Sequence, residues 1–114
     1  MVYKLRPAKE VQSDLDLIED HLVQTYVGFG DALESAVDRA LSRIKGALDY
    51  LDGLSEHPHR GTEHPKMRPG LGTVTANRFI YYFEIDEALS EVRILAIFFG
   101  GLDHRAQIME RLHH

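Results

Sequence analysis

Two apolar runs in the C-terminal half dominate the pattern of hydrophobic and polar positions along the chain. Both are rich in β-branched and aromatic residues; they are Arg78–Ile85 and Val92–Phe99, joined by the polar stretch Asp86–Glu91. This pattern predicts a β-hairpin. The second run is apolar at almost every position, which indicates a strand covered on both faces in the middle of a sheet. A weaker strand, Leu71–Thr75, precedes the hairpin through a turn at Ala76–Asn77 and predicts a three-stranded antiparallel meander.

Two longer segments upstream of the meander follow a helical period. Apolar residues recur at intervals of three and four, and mostly polar and charged residues fill the remaining positions. Gly28 and Gly53 are expected to end the two helices, and Asp31 to cap or open the second. A connection of about three residues predicts an antiparallel helix hairpin. The predicted apolar stripes are Val11, Leu15, Ile18, Leu22 and Tyr26 in the first helix, and Leu33, Ala36, Val37, Ala40, Leu41, Ile44, Leu48 and Leu51 in the second.

The two ends of the chain add one strand and one short helix. Residues Val2–Arg6 alternate weakly and stop at Pro7, which predicts a short strand at or near a sheet edge. Residues Asp103–Leu112 predict a C-terminal helix, and Ser55–Pro69 is the one long loop. The order β-α-α-β-β-β-α, with the helices on one side of a mostly antiparallel sheet, predicts a single α+β domain over residues 1–114.

The composition fits one small intracellular domain. With 114 residues, 44% of them hydrophobic, the chain has material for one core. It contains no cysteine, so disulfides and thiolate chemistry are excluded and a reducing compartment is expected. No apolar run approaches the ~20 residues needed to cross a bilayer. We therefore expect a cytoplasmic protein with no membrane partner.

Charge is unevenly distributed along the chain. Its 13 Lys and Arg against 18 Asp and Glu give a formal net charge of −5, whereas nucleic-acid-binding proteins usually present a net basic surface. Acids predominate between residues 10 and 56, but residues 60–78 carry four cations against Glu63 alone. These cations, Arg60, Lys66, Arg68 and Arg78, predict a local basic patch on an acidic protein.

Three histidines in the long loop, His57, His59 and His64, raise the question of a metal site. Structural zinc sites use spaced ligands held by a framework, usually with cysteine among them, and cysteine is absent. We therefore interpret the stretch as a solvated loop and expect no metal. No Walker motif, nucleophile elbow or dinucleotide fingerprint is present, and Gly100–Gly101 lacks the lysine or further glycine of a phosphate loop, so we expect no cofactor.

A set of polar residues around the meander fits a different chemistry, the cleavage of RNA without a metal. That reaction needs a group to deprotonate the 2′-hydroxyl, a donor to the leaving oxygen and cations to stabilise the developing charge. His104 fits the acid or base. The alternative is that Arg68 and Arg78 are surface residues flanking strands and that Asp103 and His104 cap the last helix. The full set is Arg60, Lys66, Arg68, Arg78, Tyr81, Asp103 and His104.

The order of several short motifs resembles the small bacterial toxins of the RelE/ParE superfamily. The motifs are the opening Y-K-L-R-P-A-K, two amphipathic helices, R-P-G-L, the strands R-F-I-Y-Y-F-E-I and V-R-I-L-A-I-F-F, and G-G-L-D-H. The resemblance covers almost the whole chain and implies the toxin of a type II toxin–antitoxin module, encoded beside an antitoxin that wraps its C-terminal segment around it. RelE-like members are ribosome-dependent mRNA endonucleases, whereas ParE-like members act on DNA gyrase and generally lack the catalytic residues.

Within that superfamily the chain looks more like ParE. Its acidic net charge disfavours docking on ribosomal RNA, and its helix pair is long. The resemblance therefore implies a DNA gyrase inhibitor that acts by protein–protein contact and is neutralised by a ParD-like antitoxin, with DNA contacted only through the antitoxin. The toxic surface is expected at Arg60, Lys66, Arg68, Arg78 and His104.

Two other functions stay open. A RelE-like endonuclease acting on mRNA at the ribosome would depend on His104. A detoxified member would retain only antitoxin binding and repression of its own operon. Gly72 motivates this last hypothesis, because similar sequences commonly read R-P-G-L-R where this chain has R-P-G-L-G.

The antitoxin is expected to use the helix hairpin and a free sheet edge. An apolar groove beside a half-exposed sheet suits an amphipathic helix, and a free edge suits an added strand. Periodicity does not separate surface leucines from core leucines. The expected contacts are Leu15, Leu22, Leu33 and Val37, where these side chains are not buried in the core.

Overall fold

Three α-helices and five strands follow one another in the order β-α-α-β-β-β-β-α in the computed structural model, which describes residues 2–100 and 104–113. A 3₁₀ turn at Pro58–Arg60 follows the second helix. The bounds are β1 Lys4–Pro7, α1 Glu10–Gly28, α2 Leu33–Glu56, β2 Thr62–Glu63, β3 Leu71–Ala76, β4 Phe79–Asp86, β5 Glu91–Phe99 and α3 His104–Leu112. The α+β class, the helix hairpin and the meander are confirmed. The two-residue β2 lies inside the predicted loop and was not predicted.

The sheet has the strand order β1-β5-β4-β3-β2. Strands β2 to β5 pair antiparallel, whereas β1 runs parallel to β5 with Leu5 opposite Val92. Because β5 lies between β1 and β4, the prediction of a central strand from its continuous apolar run is confirmed. The position of β1 at the sheet edge is confirmed as well.

The sheet is covered on both faces, by different helices. The helix hairpin packs on the face that carries Phe79, Tyr81 and Phe83. On the other face, Ile108 of α3 packs against a set of alternate side chains: Leu71, Ile80, Tyr82, Leu95, Ala96 and Phe98. The expectation that all helices lie on one side is wrong for α3, because period-2 alternation in β4 gives each face its own apolar surface.

The apolar stripe predicted for α2 divides into two. The small residues Ala36 and Ala40 are fully buried against α1 and the sheet, together with Ala47, Leu51 and Leu54. The larger Leu33, Leu41 and Leu48 are 65%, 48% and 43% exposed. The helix also runs through Gly53 to Glu56 rather than ending at the glycine. The buried alanines allow the helices to pack closely. The exposed leucines leave an apolar surface on the outer side of α2.

The α1–α2 connection departs slightly from its predicted caps. Gly28 is the last residue of α1, and the left-handed backbone belongs to Gly30, with φ of 104°. Asp31 precedes the N-cap Ala32, and its carboxylate accepts a hydrogen bond from Arg39 instead of capping α2. The predicted capping residue Asp103 lies outside the described residues.

A buried ion pair holds α3 on the sheet. The Asp14 carboxylate, 6% exposed, accepts two hydrogen bonds of 2.9 Å from the Arg111 guanidinium and one of 3.1 Å from the Ile97 N–H. Arg111 also donates to the Leu95 carbonyl at 3.0 Å. Bidentate hydrogen bonding to Asp14 raises the pKa of Arg111. The network joins α1, β5 and α3.

Phe83 covers two glycines at the β2–β3 edge. A Cβ at Gly72 would lie 3.0 Å from the Phe83 ring, and one at Gly61 would lie 2.5 Å from the Thr73 carbonyl oxygen. Phe83 is 1% exposed and Gly72 is its register partner on β3. The close approach of the Phe83 ring therefore explains why glycine suits position 72 in this fold.

Candidate functional site

The β3–β4 turn presents Arg78 in an uncommon backbone conformation. Asn77 and Arg78 have φ of 52° and 72°, the pair of positive angles that a two-residue type I′ hairpin requires. Glycine usually occupies the second of these positions. The Arg78 carbonyl accepts a hydrogen bond of 3.0 Å from the Gly100 N–H, and its guanidinium lies 5.1 Å from the Phe99 ring centroid. The turn thus fixes the direction of the arginine side chain.

Arg43 of α2 lies against the same aromatic residues. Its guanidinium is 5.1 Å from the Phe99 ring centroid and 5.7 Å from that of Phe79. It donates hydrogen bonds to the Asn77 carbonyl at 2.9 Å and to the Tyr26 hydroxyl at 3.3 Å. The sequence interpretation missed Arg43. The feature that could have indicated Arg43 is a cation on the stretch of α2 between the buried residues Ala40 and Ala47.

A cleft of about 520 Å³ separates α2 from the β3–β4 turn. We call it the arginine cleft, and define it by Ser42, Arg43, Gly46, Ala47, Tyr50, Ala76, Asn77, Arg78, Phe79 and Tyr81. The Tyr81 hydroxyl donates to the Ala47 carbonyl at 3.1 Å, and burial raises the pKa of this phenol, so it is neutral at physiological pH. Arg60 lies at the Tyr50 side, its guanidinium 5.7 Å from that ring centroid.

A second polar group, the Tyr82–His104 pair, lies on the α3 face of the sheet. The Tyr82 hydroxyl and His104 Nδ1 are 2.8 Å apart, and the His104 ring stacks on Phe98 at 6.4 Å between centroids. Burial raises the pKa of the Tyr82 hydroxyl, against the opposing charge of Arg105. A neutral tyrosine that donates to Nδ1 would leave Nε2 as the nitrogen able to exchange a proton with a ligand.

The remaining cations of the predicted toxic surface lie elsewhere. Arg68 forms an ion pair with Glu84, with Nε and Oε2 3.1 Å apart, and Lys66 is exposed in the loop before it. Arg68 and Arg78 flank opposite ends of β3, whose six residues extend roughly 20 Å. The structure therefore places Arg78 in the arginine cleft and Arg60 next to its residue Tyr50, and it places Arg68 and His104 on the other face of the sheet.

Two of the three loop histidines have side-chain partners within the protein. His59 Nε2 lies 2.9 Å from a Glu87 carboxylate oxygen, and His64 Nε2 lies 2.8 Å from the Thr73 hydroxyl. Within residues 2–100 and 104–113, no group of three His, Cys, Asp or Glu side chains is arranged to hold a metal ion. The same ranges contain no helix both long and apolar enough to cross a membrane.

The residues expected to contact an antitoxin are divided between core and surface. Leu15 and Leu22 are 7% and 2% exposed and belong to the core, so they offer no contact surface. Leu33 is exposed and Val37 is half-buried. Together with Leu41 and Leu48, they form what we call the outer stripe of α2.

Comparison with known proteins identifies the fold. No protein-family model matches the sequence, and no curated protein matches it significantly. Among solved structures, the chain is similar to one from the chromosomal ParDE TA system of P. aeruginosa, with 22% identity, a TM-score of 0.67, and coverage of 88% of this chain and 98% of that one. It is also similar to a chain of the toxin–antitoxin complex RelBE2 from Mycobacterium tuberculosis, with 16% identity, a TM-score of 0.63, and coverage of 88% and 93%. The chain therefore has the RelE/ParE fold.

Proposed function

We propose that this chain is the toxin of a type II toxin–antitoxin module and that it is ParE-like, inhibiting DNA gyrase by protein–protein contact. The observation that carries the proposal is the fold likeness, over 88% of the chain, to chains of the ParDE and RelBE2 systems. A toxin of this kind would be held inactive by a ParD-like antitoxin and would act in the cytoplasm.

The distribution of charge supports a ParE-like rather than a RelE-like action. RNA cleavage needs cations beside the general acid or base. Arg78 lies at the arginine cleft, on the other face of the sheet from His104, and Arg68 is paired with Glu84. Arg105, whose charge acts on Tyr82, is the cation that the endonuclease hypothesis would have to use. The net charge of −5 further disfavours a ribosomal target.

Expression of the chain alone in a bacterial host tests the mode of action. Growth, the DNA-damage response and protein synthesis are followed together after induction. Growth arrest with filamentation and a damage response, while translation continues, is the expected result. Prompt loss of translation would overturn the gyrase proposal.

The cations predicted for the toxic surface lie in two separate places, and each pair can be removed alone. One double variant changes Arg60 and Arg78 to Gln, and the other changes Lys66 and Arg68 to Gln. A matched control removes two exposed charges on the edge strand β1, Lys4 and Arg6. We expect the control to stay toxic and at least one patch variant to lose toxicity; full toxicity of both patch variants would exclude these cations as the contact.

The second candidate function is an mRNA endonuclease, and the Tyr82–His104 pair is the observation that favours it. The pair supplies a proton-transfer group whose orientation is fixed by a buried tyrosine. Under this hypothesis His104→Ala abolishes toxicity, and primer extension on translated messages reveals cleavage sites that the variant does not produce. Under the gyrase proposal, the wild-type chain produces no such cleavage sites, and any loss of toxicity in His104→Ala is the loss of a surface contact.

A third possibility is a detoxified protein that only binds the antitoxin and represses its operon. Its sign would be unimpaired growth on expression without an antitoxin. The glycine at position 72 gives this possibility less support than the sequence implied, because Phe83 occupies the space that an arginine side chain would enter.

We also propose that the antitoxin binds the outer stripe of α2 with an amphipathic helix. Exposed apolar residues at Leu33, Leu41 and Leu48 recur at helical spacing and suit helix-on-helix packing. Leu41→Asp should prevent co-purification with the antitoxin. The matched control is Leu89→Asp, because Leu89 is 64% exposed in the β4–β5 turn; equal loss in both variants would contradict this placement.

A further inference from the structure

The arginine cleft carries positive charge, and the described residues that line it include no carboxylate. This is unusual in a protein whose formal net charge is −5. Two guanidinium groups, those of Arg43 and Arg78, each lie 5.1 Å from the centroid of the same ring, Phe99. Two like charges beside one ring repel one another, and an anion that contacts both would offset that repulsion.

Among the described residues, no carboxylate pairs with either guanidinium. Within residues 2–100 and 104–113, Arg43 donates only to neutral acceptors, the Asn77 carbonyl and the Tyr26 hydroxyl. Across the same ranges, Arg78 forms no ion pair, and its guanidinium contacts the Phe99 ring. Both groups therefore retain donors for an external anion, in the planar geometry that suits a phosphate.

Backbone geometry leaves space for the cleft on both of its walls. The type I′ turn fixes Arg78, and Gly100 leaves room for it, because a Cβ at Gly100 would lie 3.3 Å from Arg78 Nη2. Gly46 leaves the α2 wall open, since a Cβ there would meet no atom within 4 Å. Tyr50, half-buried, supplies an aromatic ring to the cleft and packs against the buried Tyr81, with ring centroids 5.3 Å apart.

We propose that the arginine cleft binds a nucleoside phosphate, with the phosphate between Arg43 and Arg78 and the base against the Tyr50 side. A volume of about 520 Å³ is within the range of small-molecule sites. Arginines bind the phosphate of a nucleotide and aromatic rings stack on its base, so the two together recognise both halves of such a ligand. Carboxylates further along α2, at Asp49 and Asp52, disfavour a long polyanionic strand, so a free mononucleotide is the expected ligand.

Isothermal titration calorimetry on the 114-residue chain tests the site with AMP, GMP, adenosine, pyrophosphate and a single-stranded DNA of about ten nucleotides. We expect a mononucleotide to bind at least about tenfold more tightly than adenosine or pyrophosphate, because each of these supplies only half of the contacts. Arg78→Gly should weaken binding at least about tenfold while the thermal unfolding midpoint stays the same or rises, since glycine suits the turn.

Two further variants separate binding from folding. Gly46→Leu places a side chain in the open wall of the cleft and should abolish binding with no loss of helix stability. Arg93→Gln removes one exposed charge from β5 outside the cleft and should leave binding unchanged.

Four outcomes would overturn the assignment. They are no binding of either mononucleotide, equal binding by wild type and Gly46→Leu, pyrophosphate binding as tight as that of AMP, and tighter binding of the oligonucleotide than of AMP. The third would leave a simple anion site, and the fourth would indicate a nucleic-acid strand as the ligand. None of these results depends on whether the chain is toxic.

Discussion

Adding a side chain at the glycines beneath Phe83 should destabilise the protein in a graded order. At Gly72 a new Cβ meets the Phe83 ring at 3.0 and 3.1 Å, so the ring must shift by a few tenths of an ångström within a buried site. Overpacking of this kind costs about 1–3 kcal/mol. Alanine recovers about 0.4–1 kcal/mol by restricting the unfolded chain. We expect Gly72→Ala to lower the free energy of unfolding by about 1–2 kcal/mol.

Gly61→Ala should cost more, because the obstacle is backbone. Its Cβ would lie 2.5 Å from the Thr73 carbonyl oxygen, in a strand that is paired on both sides at that residue. We expect a loss of about 3 kcal/mol, at the upper end of overpacking costs. Gly46→Ala is the matched control: it is helical and meets no atom within 4 Å, so it should gain about 0.5–1 kcal/mol.

Urea denaturation followed by circular dichroism measures all three free energies. A double-mutant cycle with Phe83→Leu isolates the steric term, because the smaller side chain should reduce the cost of Gly72→Ala and leave that of Gly61→Ala largely intact. Gly72→Ala or Gly61→Ala behaving like Gly46→Ala would refute the packing argument. Gly72→Arg, the substitution that would restore the commoner motif, should unfold part of the β2–β3 edge, so its toxicity has to be interpreted beside its stability.

Two further predictions concern the core. Asp14→Ala should destabilise the protein by about 3–5 kcal/mol, because it leaves Arg111 charged and partly buried without its carboxylate; a loss below about 1 kcal/mol in urea denaturation would show that the pair is dispensable. Stability should fall as pH rises past 10.0, the ordinary pKa of tyrosine, since burial raises the pKa of Tyr81 in the folded state and the unfolded phenol ionises first. Tyr81→Phe should flatten this part of the pH profile, and an unchanged slope would contradict the assignment to Tyr81.

Much of the fold was predictable from sequence because its periodicities are strong. The continuous apolar run of β5 predicted a central strand, and that is where the strand lies. The side of the sheet taken by α3 was not predictable, because Ile108 fixes it through contacts with residues distant in sequence. Helix periodicity also failed to separate Ala36 from Leu33, since both lie on a broad apolar arc and tertiary packing selected the smaller residue for burial.

The candidate site was less predictable than the fold. Sequence proximity grouped Arg60, Arg68 and Arg78, but the register of β3 separates the last two by the length of a strand. Arg43 joined the cleft through a contact with the carbonyl of Asn77, 34 residues away. Proximity of this kind is set by chain topology, which no local pattern encodes.

Contacts between the two ends of the chain affect the order of events during synthesis. Strand β1 pairs with β5, and Asp14 of α1 is bonded to β5 and α3. Hydrogen bonds join residues 83 to 97 positions apart, from Asp14 to Ile97 and Arg111. Contacts of such high sequence separation form late and slowly. On the ribosome α1 and α2 are made before β5, so their sheet-facing side is uncovered until β5 has been made. A nascent chain of this fold therefore exposes the apolar side of its helix hairpin between the synthesis of α2 and that of β5, and a partner already present in the cell can bind it during that interval.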